Sequence, residues 1–182
     1  MRRGFKAFAE AIAGDIRKEM DIPAHGRLCA FELAKHLCIP TLRLSELARG
    51  AVGLTAAQRT ALELEVHGFC MPLPDGRRAI VYNDSNAPAR QQSDISHEVA
   101  HLLLHHQFRS LKNQNWREQE QEDEASFLGG TLLVPLAAAL HVLRRKLGMA
   151  EAARDYGISE QMMLYRCNVS GARVILGRRV GR

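Results

Sequence analysis

The chain has 182 residues, a formal net charge of +5 and a hydrophobic fraction of 46%, which is the size and composition of an ordinary globular domain. It lacks the run of about eighteen apolar residues that a membrane span requires. Its basic N-terminus lacks the apolar region of a signal peptide, so we expect a cytoplasmic protein. The cysteines show no Cys-x-x-Cys spacing, which argues against a structural cysteine zinc site.

The first fifty residues predict two helices and a short strand. Residues 5–20 have the spacing of an amphipathic helix, and residues 29–38 predict a second helix that Pro40 ends. Polar and apolar residues alternate over residues 41–44, as they do in a strand. A helix-turn-helix over residues 31–49 is an alternative, but the proline and the alternation argue against it.

The next segment predicts a helix and a strand pair. Residues 55–65 predict a helix capped by Thr55. Residues 68–71 and 79–82 predict two strands joined by a turn at Asp75-Gly76, since Asp-Gly favours hairpin turns.

Residues 94–105 contain His-Glu-Val-Ala-His in a stretch with helical spacing. His97 and His101 would lie one turn apart on one face, where two imidazoles can bind one zinc ion, and Glu98 can take a proton from the attacking water. Ser93 or Asp94 could cap the helix. The apolar residues that would face the core are Ile95, Val99, Leu102 and Leu103. The alternative is an ordinary amphipathic helix with two surface histidines.

A zinc site needs a third protein ligand, and the best candidate lies in a second helix that begins near residue 118 and ends before Pro135. Acidic residues suit the start of a helix, which accounts for those at positions 118, 120 and 122. Glu124 differs because it marks the point at which apolar residues begin. We therefore predict Glu124 as the third ligand.

These two motifs resemble the ImmA/IrrE family of bacterial metallopeptidases. The family typically reads His-Glu-Leu-Gly-His-Leu-Leu-Leu-His, then Glu-Ala-Asn-x-Phe-Ala-Ala-x-Leu-Leu-Met-Pro. The resemblance implies that His97, His101 and Glu124 are zinc ligands and that Glu98 is the catalytic carboxylate. This chain departs from the pattern at Ser126 and at three other positions, Gly129, Gly130 and Val134. Two glycines in a helix cost about 1 kcal/mol each relative to alanine.

The C-terminal part predicts two short helices at about 149–167 that look like a helix-turn-helix unit. Residues 141–182 carry nine Lys/Arg against three Asp/Glu, which is compatible with binding nucleic acid. The competing interpretation makes this pair an integral part of the peptidase fold. We favour it because residues 162–165 are Met, Met, Leu and Tyr rather than base-reading side chains. The tail, residues 173–182, is expected to be solvated or frayed.

Several further residues are candidates for contact with a substrate or transition state. They are Tyr82, His141, Tyr165 and Arg166, and the sequence does not choose among them. Residues 79–83 could align an extended substrate as an edge strand, although a plain core strand is an equal alternative. The polar residues 107–119 could border the cleft. His105 could contact a metal-binding residue without binding the metal itself, or it could lie on the surface.

The sequence thus predicts a single α+β domain over residues 1–182, helix-rich around a small mixed sheet and zincin-like. The predicted function is a zinc-dependent endopeptidase, with Mn²⁺ or Fe²⁺ as alternative metals. The resemblance implies a regulatory role in which a helix-turn-helix transcriptional repressor is cleaved. The alternative is a DNA-binding or protein-binding regulator that keeps a structural metal.

Overall fold

Helices make up most of the chain in the computed structural model, which describes residues 1–51, 53, 55–106 and 116–180. The helices in these ranges are α1 (Phe5–Glu19), α2 (Ala30–His36), α3 (Leu44–Gly50), α4 (Ala56–Glu65), α5 (Pro88–Leu103), α6 (Trp116–Leu133), α7 (Leu136–Arg144), α8 (Met149–Tyr156), α9 (Glu160–Val169) and α10 (Ala172–Val180). The strands are β1 (Thr41–Arg43), β2 (Gly68–Pro72) and β3 (Arg78–Tyr82). This architecture confirms the predicted helix-rich α+β class.

The three strands form one mixed sheet in the order β1-β3-β2. β3 runs parallel to β1 and antiparallel to β2, and the predicted turn between β2 and β3 contains Gly76 at φ +81°. The suggestion that residues 79–83 form an edge strand is wrong, because β3 has a partner on each side. The core-strand alternative is confirmed, since Ala79, Ile80 and Val81 are fully buried. β2 is the edge strand of this pair.

The core is centred on the packing of α5 against α6. Ile95 and Val99 of α5 are fully buried, as are Leu128 and Leu132 of α6. α1 covers the other side of α6, where Phe5 meets Phe127 edge to face with ring centroids 6.2 Å apart. Burying these apolar faces is what holds the two central helices in a fixed relation.

Gly129 lies where the backbones of α5 and α6 come closest. A Cβ atom at this position would stand 3.0 Å from the carbonyl oxygen of Ser96 and 3.1 Å from both the Cα and the amide nitrogen of His97. Backbone atoms have little room to move in a packed core. The glycine therefore does not simply weaken α6, as its helix propensity predicts, but permits the contact that places α6 beside the histidines.

Several boundaries differ from the sequence predictions. α5 begins at Pro88, a favoured first helical position, so Ser93 and Asp94 lie inside the helix and do not cap it. Most of the tail expected to fray is helical as α10, and residues 181–182 lie outside the described ranges. The loop predicted to border the cleft also falls largely outside them, over residues 107–115.

No single helix among the described residues combines the length and apolarity needed to cross a membrane. The segments Gln119–Leu133 and Leu136–Arg144 reach that length and apolarity only together, across a 54° bend.

We predict opposite effects on stability for two glycine-to-alanine substitutions. Gly129→Ala should lower the free energy of unfolding by about 1–3 kcal/mol because the new methyl group meets backbone atoms. Gly14→Ala, inside α1 with nothing within 4 Å of the added Cβ, should raise it by up to about 1 kcal/mol through helix propensity. Urea denaturation of both variants measures the difference, and a neutral or stabilising Gly129→Ala would contradict the close-packing argument.

Candidate metal centre

A cleft of about 980 Å³ lies between the edge strand β2 and the helices α5, α6 and α9. β2 contributes Gly68, Phe69 and Cys70, and α9 contributes Met162 and Tyr165. The lining residues from the two central helices include Asp94, His97, Glu98, His101, Glu122, Ser126 and Gly129. The predicted histidine motif therefore faces an open space large enough for several residues of a peptide.

Three side chains converge on one point in this cleft. The Nε2 atoms of His97 and His101 are 3.0 Å apart. Glu122 of α6 places one carboxylate oxygen 3.3 Å from Nε2 of His97 and the other 3.7 Å from Nε2 of His101. The two imidazoles bond to this carboxylate and hold the pKa of Glu122 far below its ordinary value.

The spacing of these donor atoms suits a small divalent metal ion. Zinc bonds of 2.0–2.1 Å at tetrahedral angles put neighbouring ligand atoms about 3.3 Å apart. The two Nε2 atoms are 3.0 Å apart, and the two oxygens of Glu122 lie 3.3 Å and 3.7 Å from one Nε2 atom each, so the three side chains lie close to that spacing. Two imidazole nitrogens and a carboxylate are also the donor set of catalytic sites that leave a position open to the cleft.

The structure corrects the choice of the third residue, because Glu122 rather than Glu124 lies beside the histidines. Residues two positions apart on a helix point about 200° apart, so these two carboxylates face opposite sides of α6. Glu122 shares its face with Ser126 and Gly129, which lie one and two turns further along. That spacing is visible in the sequence, and a glycine seven residues after a glutamate could have marked the face that packs against α5.

Glu124 is buried, but it faces the N-terminal segment. Arg2 donates to one carboxylate oxygen from its backbone amide at 3.1 Å and from Nε at 2.9 Å, and to the other from Nη2 at 2.9 Å. Burial acts to raise the pKa of Glu124, but the bonds and charge of Arg2 outweigh it, and the pKa lies below its ordinary value. The apolar residues after Glu124 correctly indicated burial, but not the side of the helix.

Glu98 lines the cleft beside the histidines, on the same helix. Gly68 of β2 packs over it, since a Cβ there would lie 3.8 Å from Cγ of Glu98. Asp94, one turn earlier, accepts a bond from Arg90 at 2.8 Å. Burial raises the pKa of Asp94 despite that arginine. The two central helices therefore contribute several carboxylates to the lining of the cleft.

The Nδ1 atoms of both histidines, which face away from the convergence point, also have partners. The hydroxyl of Ser126 lies 3.4 Å from Nδ1 of His97. Nδ1 of His106 lies 3.0 Å from Nδ1 of His101. Burial and the neighbouring His101 lower the pKa of His106. Sequence reasoning singled out His105 and missed His106, because helix periodicity does not predict how the chain turns after α5 ends.

Of the four other candidate residues, only Tyr165 lines the cleft. Tyr82 is buried on β3 against Phe31, with ring centroids 5.1 Å apart. The ring of His141 stacks on that of His25 at 4.5 Å. Arg166 is fully buried and donates to the carbonyl oxygen of Val134 at 2.9 Å. Tyr82, His141 and Arg166 therefore lie outside the lining of this cleft and make internal contacts.

The predicted C-terminal helix pair is present as α8 and α9. Gly157 ends α8 in the left-handed conformation, and the hydroxyl of Ser159 accepts a bond from the amide of Met162 as the N-cap of α9. α9 buries Arg166 and presents Met162 and Tyr165 to the cleft. Part of the helix that would have to read DNA bases thus forms a wall of the metal centre.

The fold and the site together define a metallopeptidase-type protein, in which a helix with two histidines and a glutamate lies beside an edge strand. The family model of peptidase M78, described as the IrrE N-terminal-like domain, matches residues 63–168. This is more than half of the chain, and it includes β2, α5 and α6. The chain belongs to this family, which confirms the resemblance seen in its motifs. Comparison with curated proteins finds no match.

We predict that Glu122→Gln weakens metal binding by more than about 100-fold, because it removes an anionic donor from the convergence point. Asp123→Asn is the matched control, since Asp123 is the exposed neighbouring acid on the same helix. Competition with a chromophoric chelator measures both affinities. A variant Glu122→Gln that binds as the wild type does would contradict the assignment, as would a larger loss in Glu124→Gln.

The pair between Arg2 and Glu124 should make stability depend on pH. Its stabilisation is present above the ordinary pKa of 4.5 and is lost as the pH falls through the lower pKa of the folded protein. In the presence of a chelator, the free energy of unfolding should exceed that of Glu124→Gln at pH 7, and the excess should shrink below about pH 4.5. An excess that stays constant down to pH 3 would contradict this role.

Proposed function

We propose that the chain is a zinc-dependent endopeptidase that cleaves a protein partner in a regulatory role. The observation that carries this proposal is the convergence of His97, His101 and Glu122 beside Glu98 in an open cleft. Membership of a metallopeptidase family supports the same class of reaction. Zinc is the preferred metal because imidazole and carboxylate donors at these separations suit a tetrahedral ion, while Mn²⁺ and Fe²⁺ remain alternatives.

The proposed mechanism assigns the proton transfers to Glu98. A divalent ion held by the three donors would make a water more acidic and polarise the peptide carbonyl. Glu98 accepts the proton of the attacking water and then passes it to the leaving amine. The phenol of Tyr165 on the opposite wall is the candidate donor to the oxygen that becomes negatively charged in the transition state.

β2 is proposed to align the substrate. As the edge strand it pairs with β3 on one side, and it lines the cleft on the other. An extended peptide can add to such an edge by backbone hydrogen bonds that do not depend on its side chains. Phe69, Met162 and Tyr165 then offer apolar contact area for substrate side chains. This arrangement suits a segment that is extended or locally unfolded.

The proposed partner is a helix-turn-helix transcriptional repressor, a class that the family resemblance supplies. Cleavage of such a protein would link this chain to the regulation of transcription in a bacterial cytoplasm. Because α9 uses Met162 and Tyr165 for the cleft, we favour contact with the repressor itself over direct binding of nucleic acid.

We predict that Glu98→Gln keeps the metal and loses catalysis. The amide has nearly the same shape but cannot accept the proton, so cleavage should slow by about 10²–10⁴-fold. The assay follows cleavage of a repressor encoded beside the gene for this chain and of a fluorogenic peptide library. Metal content is measured on the same samples. Asp123→Asn is the control and should retain both metal and activity.

The same assay separates the alternative function. A DNA-binding regulator with a structural metal would show salt-sensitive binding of duplex DNA that Glu98→Gln leaves unchanged, with no cleavage by the wild type. Failure of the wild type to cleave any substrate when loaded with zinc would contradict the peptidase proposal.

A further inference from the structure

His106 occupies a buried position directly behind one member of the metal centre. Only 8% of its surface is exposed. Its ring lies 5.0 Å from that of His101, at an interplanar angle of 73°, and the two Nδ1 atoms are 3.0 Å apart. A buried polar ring is costly unless its nitrogen atoms are hydrogen-bonded. The contact with His101 gives one nitrogen of the buried ring a hydrogen-bond partner.

The conformation of the chain at the end of α5 places His106 at this position. The amide of His106 donates to the carbonyl oxygen of His101 at 3.1 Å, and the amide of His105 donates to that of Leu102 at 3.2 Å. With His105 in the left-handed conformation at φ +52°, this is the Schellman type of helix end. The turn exposes His105 and directs His106 back beneath the helix.

A carboxylate and a guanidinium continue the arrangement beyond His106. Nε2 of His106 lies 3.8 Å from the carboxylate of Glu124. Arg2 binds both oxygens of that carboxylate. Glu124 is thus held away from the cleft, with its charge directed at the far side of His106.

We propose that His106 is a positioning residue that holds the ring of His101 in the orientation for metal binding, while the charge of Glu124, held in place by Arg2, favours a proton on the far side of the His106 ring. A histidine that offers Nε2 to a metal carries its proton on Nδ1. For His101, Nδ1 of His106 is the acceptor of that proton. His106 then carries its own proton on Nε2, towards Glu124. An outer hydrogen bond such as the one between the two Nδ1 atoms fixes the tautomer and the ring orientation of a metal-binding histidine.

This inference rests on the proposed function, because it requires His101 to be a ligand. The test measures zinc affinity by chelator competition and the absorption bands of the Co²⁺-loaded protein, neither of which depends on catalysis. His106→Leu removes the acceptor and should lower zinc affinity by about 10–100-fold, with a shift in the Co²⁺ bands. His106→Asn places an amide oxygen near the position of Nδ1 and should restore most of the affinity.

His105→Asn is the matched control. It changes the exposed neighbouring histidine to a residue that tolerates the left-handed conformation, so affinity and spectrum should match those of the wild type. Melting of the metal-free proteins shows whether each variant folds. If His106→Leu does not fold, Glu124→Gln tests the contact between Glu124 and His106 instead. This variant should weaken zinc binding, but less than Glu122→Gln does.

Three outcomes would overturn the inference. One is unchanged zinc affinity in His106→Leu or, where that variant does not fold, in Glu124→Gln. Another is an equal loss in His105→Asn. The third is failure of the wild type to bind zinc, Co²⁺, Mn²⁺ or Fe²⁺, which would overturn the proposed function as well. The first two leave the proposed function standing, so the two failures are distinguishable.

Discussion

The contact between the backbones of α5 and α6 at Gly129 determines the geometry of the metal centre. It brings the helix axes close enough for a glutamate two turns before the glycine to reach two imidazoles on the facing helix. A side chain at residue 129 would meet atoms of Ser96 and His97 that belong to the motif-bearing helix itself. The same contact therefore determines both the packing of the core and the position of Glu122. A shift of α6 along α5 would disrupt the packing and move Glu122 away from the histidines.

The same register gives the two glutamates of α6 different chemistry. Glu122 enters a cleft where two imidazole nitrogens meet its carboxylate. Glu124, on the opposite side, is neutralised by Arg2 and lies against His106. One acid is available to a metal and the other supports the ring behind it. The N-terminal segment thus contributes to the environment of a site that lies more than 90 residues later in the chain.

Sequence periodicity predicted most of the elements and the pair of histidines, because a four-residue spacing on an amphipathic helix fixes a face. It failed where the outcome depended on packing between helices or on a helix end. The apolar residues after Glu124 indicated that this side chain is buried, but not on which side of α6 it lies. The Schellman turn that buries His106 contains no glycine, so the sequence gives no signal for it. The central position of β3 likewise depended on a parallel partner, β1, that is distant in sequence. A side chain such as Arg166, polar but fully buried, gave no local sign of its surroundings.

The binding of one metal ion by His97, His101 and Glu122 is proposed from their convergence in the cleft. An anomalous difference map from crystals of the zinc-loaded protein, recorded on both sides of the zinc absorption edge, would test this binding directly. We expect a single strong peak about 2.0–2.2 Å from Nε2 of both histidines and from the carboxylate of Glu122, with Glu124 still bound to Arg2. A peak coordinated by Glu124, or no peak between the two histidines, would contradict it.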